Sequence, residues 1–217
     1  MSATVEYQRR VPSPLLPHDR VPLERRAKRL AWGGNGWHFV EFAVALGAGI
    51  AAGSVALVGF GLDSLIEVAA AGVVIWLFSG GRGSSHAAER RAQQLIAASY
   101  AILVVYIGIE ATRDLLGAHH PAVSWVGIGL AVFTALAMPL LARAKRGVGA
   151  KLNSSATVSE AGQNLICAYL SIALLIGLLL NALAGWWWAD PAAALVIAAL
   201  AANEGIQSWR GESCDCC

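Results

Sequence analysis

The sequence predicts an all-α membrane protein, a bundle of six transmembrane helices, and three observations carry that prediction. Of 217 residues, 57% are hydrophobic and 14% charged, with a mean hydropathy of +0.57, a balance outside the range of water-soluble domains. The apolar residues gather in six runs, each close to the roughly 20 residues that a helix needs to cross a bilayer. Seven Lys/Arg precede the first run, three lie between the second and third, four between the fourth and fifth, and one follows the sixth. Fifteen of sixteen basic residues thus fall on one side, with Arg113 alone on the other, which by the positive-inside rule places both termini in the cytosol.

Residues 1–35 mix arginines with Pro12, Pro14, Pro17 and Pro22 and contain no apolar core. They do not read as a signal peptide but as a flexible basic cytosolic arm. Helices are expected over 36–53, 55–78, 93–115, 122–142, 156–181 and 190–208, forming one domain over 36–208. Gly53-Ser54 breaks the first pair, a Gly/Ser-rich stretch from Ser79 to Ser85 the second, and His119-His120-Pro121 the third. Asn153, Ser154 and Ser155 can cap the fifth helix, and Asp190-Pro191 fits a cap and first-turn proline for the sixth. Residues 209–217 are a short Cys-rich cytosolic tail. Trp125 and Trp186 to Trp188 fall where an outer aromatic belt is expected. Gly49 and Gly53 form a small-xxx-small pair suited to close helix packing, within the bundle first and at a dimer interface second.

Six spans and short loops leave no room for a soluble catalytic domain. No nucleophile–base constellation is visible, so an enzyme is not expected. The net charge of +2 is accounted for by topology, which argues against nucleic acid as a partner. One cysteine lies in an apolar run and three crowd the terminus, which is not a secreted disulfide framework.

Charged side chains cost at least about 2.5–3.5 kcal/mol at the centre of a membrane helix and need a partner or a polar cavity. This chain has several: His38 and Glu41 in helix one, Asp63 and Glu67 in helix two, Glu110 in helix three, and Glu160 with Gln163, Asn164 and Cys167 in helix five. Asp63 and Glu67, four residues apart, share a helix face about 6 Å apart along the axis. Two carboxylates so close are tolerable if they share a proton or bind a cation. Gln163 and Cys167 repeat the spacing, and the two pairs offer two carboxylates, an amide oxygen and a sulfur, a workable set for a divalent metal.

The segments GFGLDSLIE (59–67), SEAGQNLIC (159–167) and WADP (188–191) resemble the corresponding parts of the cation diffusion facilitator family of metal transporters, over about 170 residues. The resemblance implies a six-helix fold, a homodimer, and export of Zn2+ or a related divalent cation in exchange for protons. Asp63 and Glu67 match the family's metal ligands on helix two, and Gln163 and Cys167 occupy those of helix five, where His or Asp followed by Asp is usual. The chain ends about ten residues after helix six, so it looks like a compact, membrane-only branch lacking the family's carboxy-terminal cytosolic domain.

The expected function is therefore divalent cation efflux, Zn2+ first, by alternating access at a midplane site on helices two and five. The metal is cargo, and no permanently bound cofactor is expected. Ligands must lose protons to bind metal, which implies proton antiport. His38, Glu41, Glu160 and Asn164 are candidates for a proton relay or for supporting the site. Cys214, Cys216 and Cys217 could capture a thiophilic metal, carry palmitate or form a plain reactive tail. The size and architecture suit a bacterial cytoplasmic membrane. The alternative is a membrane metal sensor or interaction subunit that binds without transporting.

Overall fold

The computed structural model describes residues 17–79, 86–152 and 155–210. They form six helices: α1 (Pro17–Ala52), α2 (Val55–Ser79), α3 (His86–Gly117), α4 (Trp125–Leu152), α5 (Ser155–Ala184) and α6 (Ala189–Arg210). No strand occurs among the described residues. Segments of α3 (94–117), α4 (125–152), α5 (160–184) and α6 (189–210) are long and apolar enough to cross a bilayer, and the two remaining expected spans lie within α1 and α2. Large apolar side chains such as Ile102, Leu136 and Leu183 stand exposed on the outer faces of the helices, a surface that suits lipid and not water.

Helix bounds differ from expectation mainly at the basic end of the bundle. Helix α1 begins at Pro17, so residues 17–35 of the arm expected to be flexible are helical. The stretch from Leu23 to Leu30 is rich in Leu, Glu, Arg, Lys and Ala, all strong helix formers, and Pro17 sits where the missing N–H costs nothing. Apolar runs alone do not register such a segment. For the same reason α4 continues through its basic stretch to Leu152. Residues 1–16, the 80–85 part of the second break, the caps Asn153 and Ser154, and the Cys214, Cys216 and Cys217 tail lie outside the described residues.

Helix α2 packs against α1, α3, α5 and α6, and α5 packs against α1, α2, α4 and α6. These two helices form the centre. Leu57 and Phe60 of α2, Ile107 of α3, Leu170 and Leu174 of α5 and Ile197 of α6 are fully buried there. The α1–α2 contact is close because Gly61 lies against Ala45 and Leu46: a Cβ there would come 3.0 Å from the Leu46 nitrogen. Gly49 likewise faces Val58 of α2, so it serves packing within the chain. Gly53 turns the chain between α1 and α2 with φ +65°, a left-handed conformation that glycine adopts without strain.

At the end of the bundle opposite the chain termini, Asp190 corrects its expected role. It is the second residue of α6, and its carboxylate caps α2, accepting from Ser54 Oγ at 2.5 Å and from the Ala56 N–H at 3.3 Å. Ser54 Oγ in turn accepts from the Leu57 N–H. The free N–H groups of a helix start attract an acid from any neighbour that packs there. Asn181 donates to the Pro121 carbonyl at 3.0 Å, and Trp186 stacks on Trp188, both of them partly exposed. Glu110 pairs with Arg113 at 3.0 Å, so this acid of α3 and the lone basic residue of that end account for each other.

Candidate metal site

Helix α1 buries a stripe at Gly34, His38, Glu41, Ala45 and Gly49, a spacing of three to four residues that defines one helix face. Two polar residues occupy that stripe, so both point into the bundle. Glu41 is 0% exposed and is met from four sides. Thr134 of α4 donates to Oε1. Ser64 of α2 donates to Oε2 at 3.4 Å, the Cys167 thiol of α5 approaches it at 3.7 Å, and His38 Nδ1 lies 3.0 Å away. A buried carboxylate with this many donors is a satisfied one.

His38 joins that network to α2. The same Nδ1 lies 2.9 Å from Glu67 Oε2, so one ring nitrogen faces two carboxylates. Nδ1 carries at most one hydrogen, so it can donate to only one of the two; given to Glu41, that hydrogen leaves Glu67 Oε2 buried without a hydrogen bond despite its closeness to the ring. On the other ring nitrogen, Asn164 Nδ2 sits 3.4 Å from Nε2 and donates to Met138 Sδ at 3.1 Å, while Asn164 Oδ1 is unpartnered. Turning the amide would offer an acceptor to Nε2, so Asn164 can follow either tautomer of His38.

On the other side of Glu67 lies a small cavity lined by Asp63 and Glu67 of α2, Tyr100 of α3, Gln163, Ile166 and Leu170 of α5, and Leu200, Ala201 and Glu204 of α6. The centre of a water-sized sphere can move through about 10 Å³ of it, room for about one water. Asp63 is 3% exposed, and no hydrogen bond or ion pair to it occurs among the described residues. Such a group is expensive in an apolar bundle unless something binds it.

The four residues expected to hold metal are therefore brought together around Glu67 but on two sides. Asp63 and Gln163 line the cavity, with Gln163 exposed at its rim. Cys167 is fully buried and turns toward α1. The reason is helical geometry: residues four apart differ by about 40° around the axis, enough to fall on opposite flanks of one facing side chain. A nitrogen, a carboxylate oxygen and the sulfur of His38, Glu67 and Cys167 lie within 4.8 Å of one another, a set that also suits a metal. Glu160 stands apart, paired with Lys145 of α4 at 3.2 Å. Sequence reasoning missed Glu204 and Tyr100. Glu204 continues the buried stripe Ala194, Ile197, Ala198 and Ala201 at the next helical step, a signal that was available; Tyr100 offered none.

A family model described as the cation efflux transmembrane domain matches residues 38–210. No curated protein matches the sequence. The match begins at His38, inside α1, and covers the other five helices, including the α2 and α5 segments that flank the cavity. This chain, an integral membrane protein, belongs to the cation efflux family of metal-cation transporters.

Proposed function

We propose that the protein exports a divalent metal cation, Zn2+ first, in exchange for protons, by alternating access around the cavity between α2 and α5. The observation that carries the reading is Asp63: a buried carboxylate without a hydrogen-bond partner among the described residues, facing a cavity of about one water's volume that Glu67 also lines. Asp63 and Glu67 bind the cation, Gln163 contributes its amide oxygen at the rim, and Cys167 with His38 offers softer donors behind Glu67. Metal binding needs ionised ligands, so an arriving cation displaces protons. With its hydrogen on Nε2, His38 presents a bare Nδ1 2.9 Å from Glu67 and 3.0 Å from Glu41, placed to take one and return it when the metal leaves.

The distribution of basic residues supports cytosolic termini, the architecture a bacterial cytoplasmic membrane, and the family a homodimer. The test is metal flux in liposomes with an imposed pH gradient, screening Zn2+, Mn2+, Fe2+, Co2+ and Cd2+, with Asp63→Ala and Cys167→Ala beside the parent. Proton-coupled flux lost in Asp63→Ala supports the reading. A folded, inserted protein that binds metal without moving any of them overturns it in favour of a sensor or interaction subunit.

A further inference from the structure

The geometry points to Glu204 of α6 as a direct ligand of the transported cation, making the cavity an all-oxygen site built by three helices. The proposal rests on the cavity being the cation site. Two carboxylates reach it from α2 and one amide oxygen from α5, while the sulfur of Cys167 turns to the α1 side of Glu67. Three groups giving one oxygen each leave a divalent ion short of the four or more it takes. Glu204 is the remaining ionisable carboxylate on the cavity wall.

Its placement is enforced by packing. Ala201, one turn earlier on the same face, is 1% exposed and leaves space with its small side chain. At Gly205 the helix closes on α3: a Cβ there would stand 3.0 Å from Tyr100 Cβ. That approach clamps α6 against the helix bearing Tyr100, itself on the cavity wall, and holds Glu204 on the same wall. The independent sign of a ligand is Asp63, only 3% exposed and unpartnered among the described residues, on the same wall. Carboxylate and amide oxygens are hard donors, so the site should accept Mn2+ as well as Zn2+.

Binding of Mn2+ and of Zn2+ to the full chain in lipid nanodiscs, read by titration calorimetry, tests this with Asp63→Asn, Glu204→Gln and the exchange variant Glu204→Gln/Gln163→Glu. The expected result is at least about tenfold weaker Mn2+ binding in Glu204→Gln, at the low end of what losing a group at a metal site costs, largely regained when the carboxylate is moved to position 163. Parent-like binding in Glu204→Gln, with binding lost in Asp63→Asn, overturns the role of Glu204 and leaves the transporter reading standing. Should Glu204→Gln alone not fold, the exchange variant decides: folded and binding supports the proposal, folded and not binding overturns it. A folded parent that binds neither metal overturns both the proposal and the site on which it rests.

Discussion

Glu67 divides two polar regions of opposite character. Toward α1, Glu41 is met by Thr134, Ser64, His38 and Cys167, and Asn164 spans His38 and Met138. Toward α6, Asp63, Gln163 and Glu204 line open space, and no hydrogen bonds between them occur among the described residues. Buried polar groups that are paired with protein contribute to holding helices together. Buried polar groups left unpaired cost stability and are kept for a ligand. On the proposed function, the same residue types serve structure on one side and binding on the other.

The largest expected effect separates the two sides by function. Asp63→Asn should lower metal flux in proteoliposomes by at least about 10²-fold, since even supporting groups of a metal site cost 10- to 100-fold, and its melting temperature should stay level or rise. A clear fall in melting temperature would mean that Asp63 is structural and would erase the contrast. Glu41→Ala should do the reverse and destabilise the bundle by about 2–4 kcal/mol, counting about 0.6 kcal/mol per hydrogen bond between membrane helices and the void left behind. Unfolding in mixed micelles measures it, and a change below about 0.5 kcal/mol would show that the network holds nothing.

His38→Gln sharpens the boundary itself. Protons compete with metal for the carboxylates, so parent affinity should fall as pH falls. Without the imidazole beside Glu67, proton-driven flux should drop about tenfold, somewhat less than the 10²-fold or more that a positioned general acid or base contributes to catalysis, while metal binding at high pH changes little. An unaltered pH profile would remove His38 from the proton path. The smallest effect is expected at the basic end, where the Lys145 side chain is 5% exposed and Glu160 is 43% exposed. Glu160→Gln strands a buried ammonium and should cost about 1 kcal/mol, whereas Lys145→Met, which leaves only an exposed acid, should cost less. Equal losses would mean that the pair acts through charge alone.

Much of the site is legible in the amino-acid sequence. The acids at membrane depth stand out because hydrocarbon penalises them, and the spacing of Asp63 and Glu67 puts both on one face. Asp190 illustrates the limit: its cap-and-proline signature is local and real, yet the helix that it caps is α2, decided by which N–H groups packing brings near. Gln163 and Cys167 show the same limit at the site, since shared helical spacing does not say which neighbour each flank will meet.

By itself the sequence determined the number of spans, the inward position of His38, Glu41, Asp63, Glu67 and Cys167, and the family. The first two follow from composition and from a helical period that any window of about 20 residues carries, and the family from short motifs that lie within single helices. Only the tertiary structure decided that α2 and α5 are neighbours, that Glu67 stands between a paired network and a cavity, and that Glu204 shares the cavity wall with Asp63. Those relations depend on contacts between distant helices, set by small residues such as Gly61 and Gly205 where backbones approach. A local pattern cannot encode which surface will arrive to meet it.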